Sequence, residues 1–154
     1  MHRAATGALV DTRWRMIRLI LIVGLALAWL GLPPPSFWFE VRSLAIADTT
    51  EGMSPIVRID RTIHRHFRAS WIVTVMRSHG SGFTFWCNAR SSNDYAPDAQ
   101  LPDHTDLGWW MDNQPCLRPL VPGNYRVRML WTIKPTLFPE KEVRIESNTF
   151  TVHP

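Results

Sequence analysis

Cysteine is scarce: the 154 residues hold two, Cys87 and Cys116. So low a count excludes a zinc ribbon or a disulfide-dense scaffold. Lysine is equally scarce, because Lys134 and Lys141 are the only two among 17 basic residues. A second long apolar run is missing, which excludes a polytopic membrane protein. There is no Gly-rich loop between a strand and a helix to hold a phosphate. There is no Gly-x-Ser-x-Gly elbow and no Ser-x-x-Lys pair to make a nucleophile. What is present is 45% hydrophobic residues, an ordinary amount and enough for a core, and 8 tryptophans, a high count for this length. The length suits one domain.

The charge is unevenly placed. Arg3, Arg13, Arg15 and Arg18 precede Leu19, with only Asp11 against them. Four of the 17 bases and one of the 13 acids lie there, so the remainder carries 13 against 12, a net of +1. A nucleic-acid-binding domain carries its basic face in the folded part. No nucleic-acid partner is expected here. The local run Arg58, Arg61, Arg65, Arg68 reads as a solvated strand edge and turn.

From Leu19 to Phe39 no residue is charged, a run of 21. A helix over 14–32 would measure about 28 Å, close to a hydrocarbon core. Pro33-Pro34-Pro35 stops it, since each proline lacks an N–H and crowds the preceding turn. Arg15 and Arg18 would snorkel at one interface, and Phe37, Trp38 and Phe39 would line the other. The arginine asymmetry predicts a cytoplasmic N-terminus and an extracytoplasmic domain, in the periplasm of a bacterium. The layout is then a basic tail 1–13, a transmembrane helix 14–32, a Pro-rich linker 33–38 and a folded domain 39–154 at the inner (plasma) membrane. A cleaved signal peptide, releasing a soluble periplasmic protein, is the competing reading. Ala45-Ile46-Ala47 has the cleavage form but lies far beyond the apolar run.

The domain reads as strands. Phe67, Ala69, Trp71, Val73 and Val75 share one face of an alternating segment. Ser78 to Gly82 has a hairpin-loop composition. Phe83, Phe85, Cys87 and Ala89 form the next alternating set. Tyr125, Val127, Met129, Trp131 and Ile133 form another. Glu142 to Val152 carries apolar residues on both faces, which predicts a bulge near Asn148. Segments 39–47 and 56–60 are further strands. None of these segments has a helical period. Short strands separated by turn signals predict an all-β antiparallel sandwich.

Leu120-Val-Pro-Gly-Asn-Tyr-Arg-Val127, followed by Trp131 and a closing Phe150-Thr-Val152, resembles bacterial immunoglobulin-like and fibronectin type III-like sandwiches. The resemblance implies a tyrosine corner, in which the hydroxyl of Tyr125 bonds back to the upstream backbone. It departs from antibody-type domains in the cysteines, for Cys116 precedes the tyrosine instead of following it. The tail, anchor and single domain together also resemble small uncharacterised membrane proteins of bacteria and prophages.

In an oxidising compartment Cys87 and Cys116 would join, closing a loop that stabilises by about 3.6 kcal/mol in the chain-entropy model. No Cys-x-x-Cys suggests redox chemistry. His64 and His66 face one way on an extended segment, but a zinc site needs three or four ligands and no spacing supplies them. Asp94, Asp98, Asp103 and Asp106 crowd one segment, a poor scaffold for two carboxyls at fixed separation. No catalytic residue, metal or cofactor is expected, and the chain is not expected to be an enzyme.

Segment 91–118 is the candidate recognition loop, with Asp94, Tyr95, Asp106, Trp109 and Trp110 as its residues. Aromatics supply contact area at low entropy cost, and carboxylates supply directional bonds. The alternative is that these rings only plug the end of the sandwich. On an extended segment Leu107 and Trp109 would face inward together, leaving Trp110 exposed. The function expected is non-enzymatic binding or scaffolding at the cell envelope, with the lipid bilayer and an envelope protein as partners. An envelope carbohydrate-binding or hydrolytic domain is the alternative.

Overall fold

The computed structural model describes residues 5–31, 33–99, 102–112, 114–117 and 120–154. The first four residues of the expected tail, Leu32 at the expected helix end, and positions 100, 101, 113 and 118 of the expected loop lie outside them. Two compact units result, one holding the N-terminal helix with 137–139 and the other holding the β-strands.

The helix, α1, spans Ala5–Gly31. It therefore begins nine residues before the expected span and includes part of the basic tail. It has no polar-apolar division: Leu19, Ile20, Ile22, Leu25, Leu27 and Trp29 are all exposed. Among the described residues, no helix is long and apolar enough to cross a membrane.

The second unit is a β-sandwich-like fold. Its strands are β1 (Phe39–Ile46), β2 (Thr49–Thr50), β3 (Ile56–Ile63), β4 (Phe67–His79), β5 (Gly82–Tyr95) and β6 (His104–Asp106), then β7 (Gly123–Lys134), β8 (Lys141–Glu146) and β9 (Phe150–His153). The smaller sheet is ordered β1-β3-β6. The larger is ordered β2-β9-β7-β4-β5, with β8 also paired to β7. All pairings are antiparallel except β2 with β9.

Alternation explains the core. Ala69, Val73 and Val75 of β4 and Tyr125, Val127, Met129, Trp131 and Ile133 of β7 all point inward and are buried. Phe39 from the smaller sheet meets them, with ring centroids 5.5 Å from Phe67, 5.7 Å from Tyr95 and 5.4 Å from Trp131. Aromatic pairs at such spacings add to the area they remove from water.

Several details depart from the sequence pattern. The strands β4 and β5 run into their hairpin, leaving a two-residue turn, because His79 pairs with Gly82. Gly80 sits there at φ +58°, a conformation glycine adopts without a Cβ clash. Trp86 is an extra residue in β5, since Val75 pairs with Cys87 while Met76 pairs with Phe85. The insertion reverses the alternation, so Phe85 is 65% exposed and no longer shares a face with Cys87.

The expected closing strand is split into β8 and β9, and the break at 147–149 falls on the expected bulge. The interruption shifts phase, so Val143 and Ile145 stand opposite buried Trp131 and Met129, while Phe150 stands opposite Tyr125. Ser147 bonds Val127 twice there, through its N–H (2.8 Å) and its accepting Oγ (2.9 Å). Asn148 reaches across to β1, accepting from the Ile46 N–H at 2.8 Å and donating to its carbonyl at 2.9 Å.

Segment 91–118 is not one loop. It contains the end of β5, then β6, a single helical turn α2 (Leu107–Trp110) and a 3₁₀ turn (Pro115–Leu117). The helical turn α2 is four residues long, too short for periodicity to reveal.

Candidate functional site

The five candidate residues separate. Asp94 is exposed on β5 and stands 3.9 Å from Arg68. Tyr95 is core: its ring stacks on Phe67 at 4.9 Å, and its hydroxyl accepts from the Trp131 indole N–H at 3.2 Å. Burial therefore raises the Tyr95 pKa, with the Trp131 hydrogen bond and the Arg61 charge acting in the opposite direction. The structure keeps only Asp106, Trp109 and Trp110 together.

Those three form a capped turn. The Asp106 carboxylate accepts from the Trp109 N–H at 2.9 Å, satisfying an orphan donor of the helical turn. Ser54 supports it by donating to the same carboxylate oxygen at 3.2 Å and accepting from the Gly108 N–H at 3.0 Å. The Leu107 N–H donates to the Pro55 carbonyl at 2.8 Å.

The turn reverses the expected fates of the two indoles. Trp110 is buried at 4% exposure, edge-on to Trp71 at 5.6 Å. Trp109 is 48% exposed and edge-on to Trp110 at 5.0 Å. Extended-chain alternation does not apply to successive residues of a helical turn, which are rotated by about 100°. Trp109, not Trp110, is the exposed ring.

A residue outside the expected set completes the region. Arg61 lies over the Trp110 ring at 5.8 Å and donates to the Pro102 carbonyl at 3.0 Å. Desolvation lowers its pKa, while nearby Tyr95 and Asp103 favour its charge. In the sequence it is one member of an arginine run, and nothing marks it as the one that turns inward. Beside it is a shallow groove of about 680 Å³, lined by Ser43, Ala45, Arg58, Asp60, Asp103 and His104 among others. The small side chains of β1 leave the depression, and the charged residues of β3 border it. The groove mixes cationic and anionic side chains.

The cysteines join as expected, Cys87 to Cys116, 29 residues apart in sequence. The Trp86 indole N–H donates to the Cys116 carbonyl at 2.9 Å, so two bonds attach the 115–117 turn to β5. Arg77, an unremarkable end residue in the sequence, lies over Trp86 at 5.4 Å and Tyr125 at 5.8 Å. It also donates to the Pro122 carbonyl at 3.0 Å. The Tyr125 hydroxyl donates to the Val121 carbonyl at 2.8 Å, four residues upstream.

His64 lies 3.6 Å from Glu40, and among the described residues no group of three His, Cys, Asp or Glu side chains could hold a metal ion. Comparison with protein-family models, curated proteins and solved structures finds no match.

Proposed function

We propose that this chain is a single-pass membrane protein displaying an immunoglobulin-like domain outside the cytoplasm, and that the domain binds or scaffolds a protein partner at the cell envelope without catalysing a reaction. The observation that carries the binding role is Trp109: a half-exposed indole on a turn held by Asp106, Ser54 and Pro55. Such a ring is ordered before binding, so little entropy is lost when a partner covers it.

The immunoglobulin-like reading is supported by strand order. The set β1-β3-β6 against β5-β4-β7-β8 follows the order A-B-E against C′-C-F-G, with β2 parallel to β9 along the last strand. The Tyr125–Val121 bond supports it further. The anchor is supported by the uncharged run 19–39, the basic residues before it, and the exposed apolar side chains around α1. The span proposed, 14–32, includes Leu30 and Leu32, which count in the sequence but whose side chains are outside the described set.

Two measurements test this reading. A reporter active only outside the cytoplasm, fused after Pro154, is expected to be active in a membrane-pelleting protein. A mature N-terminus near Asp48 would overturn the anchor. A photo-crosslinking residue at 109 is expected to capture one envelope protein that the same residue at Thr74 does not. Equal labelling from both positions would overturn the recognition role of Trp109.

A further inference from the structure

The larger sheet ends at β5, and the second half of that strand is bare. From Arg90 to Asp94 five consecutive residues are exposed. In a half-buried strand every second one would be covered. Among the described residues, no backbone hydrogen bond runs from 88–94 to any element other than β4.

The other edges differ from it: β2 and β6 are only two and three residues long, and β1 is interrupted. On β1, Arg42 is an extra residue that interrupts the register, and Asn148 occupies both polar groups of Ile46. β8 is six residues long, lies against β1, and its Arg144 is already paired with Glu142. Bulges, charge, proline and covering side chains are the usual means of blocking edge pairing. Positions 88–94 contain no proline and no bulge, and their two charges, Arg90 and Asp94, are of opposite sign. The stretch is bounded by the Cys87 disulfide on one side and by Pro97 on the other.

The sequence of this edge is complementary to itself. Antiparallel pairing about a two-fold axis at Ser92 sets Arg90 opposite Asp94 of a second copy, Ser91 opposite Asn93, and Ser92 opposite Ser92. Directly opposed residues share a face of a sheet, so the charged pair meets on the outer surface, twice per dimer. A two-fold at Arg90 or Asp94 would oppose like charges, and one at Ser91 or Asn93 would leave both charges without a counterion across the axis. An axis between residues would oppose inward positions to outward ones. Arg68 stands 3.9 Å from Asp94 with both side chains largely exposed, which leaves the carboxylate accessible to a second cation.

We propose that the 88–95 edge of β5 is where two copies of this chain pair, antiparallel about Ser92, so that their larger sheets become one.

The full chain in detergent micelles tests this. Opposed Cα atoms in an antiparallel pair stand within disulfide range, so Ser92→Cys is expected to give a covalent dimer on mild oxidation. Asn88→Cys is the control, for in this register each copy of residue 88 lies eight positions from the other, about 27 Å along the strand. Ser92→Cys is expected to yield about tenfold more dimer than Asn88→Cys, given the distance limits on disulfides. Adding Asp94→Arg sets arginine opposite arginine and is expected to reduce that yield several-fold. Equal yields at 92 and 88, no dimer at 92, or a yield indifferent to Asp94→Arg would each overturn the proposal. The melting temperature and the Cys87–Cys116 peptide mass are followed in every variant, so that a null result comes from folded protein.

Discussion

The two neighbours Tyr95 and Asp94 belong to regions that the fold treats oppositely. From Tyr95 onward the crossover to β7 is held by buried groups: Tyr95 itself, Leu107, Trp110 and Met111, together with the disulfide at Cys116. Immediately before it, 90–94 is exposed and bonded in the backbone to β4 alone, among the described residues. Both fall largely within the segment 91–118, which the sequence offers as either a recognition loop or a plug for the end of the sandwich. The difference is whether a side chain reaches an aromatic core. Buried contacts concentrate in the first stretch, and exposed surface remains in the second and at Trp109.

That contrast can be broken most strongly at Trp110. Replacing it with alanine removes a buried indole between Trp71 and Arg61 and is expected to cost about 3–5 kcal/mol in chemical denaturation. A loss below about 1 kcal/mol would make the crossover a loose cover. Next is the disulfide. Cys87→Ser is expected to lower stability by about 2–4 kcal/mol, measured the same way. Protein from an oxidising compartment is expected to show no free thiol until it is reduced.

Tyr95→Phe sharpens the comparison through protonation. The variant leaves the Trp131 indole N–H without its acceptor, at a cost of about 1–3 kcal/mol. The folded pKa of Tyr95 is raised, so the unfolded chain loses its proton first as pH rises. Its contribution is therefore complete below the ordinary tyrosine value of about 10 and is lost as pH climbs through the folded value. Melting temperature should fall steeply in that alkaline window and less steeply in Tyr95→Phe. Tyr125, also raised by burial, sustains the remainder.

The smallest effects are expected on the exposed side. Trp109→Ala should cost about 1 kcal/mol, the edge contact with Trp110 being its main packing. Ser91→Ala and Asn93→Ala should stay within about 0.5 kcal/mol of the parent. Iodide quenching should reach Trp109 and spare Trp110. Equal shielding of both would remove the distinction between a cap and a recognition residue.

The inward faces of β4 and β7 were legible because period-two alternation over ten residues admits one solution when one side is buried. The bulge near Asn148 was legible for the same reason, since two apolar sets of opposite parity require an inserted residue. Phe85 was misread because the insertion at Trp86 lies inside an apparently regular pattern. Trp109 and Trp110 were misassigned because one helical turn leaves no period to detect, and the cap from Asp106 also depends on Ser54, 52 residues away in sequence.

The sequence by itself determined the β class, the two principal core faces, the cysteine pair and the separation of an arginine-led apolar run from a nearly neutral domain. Each follows from local patterning or from count. Tertiary structure alone decided that Tyr95 is core, that Arg61 turns inward from an arginine run, that Trp109 is the open ring, and that β5 is a bare edge while β1 is closed by Asn148. These depend on which distant backbone arrives at a side chain, and residue order along one strand carries no record of its neighbour in space.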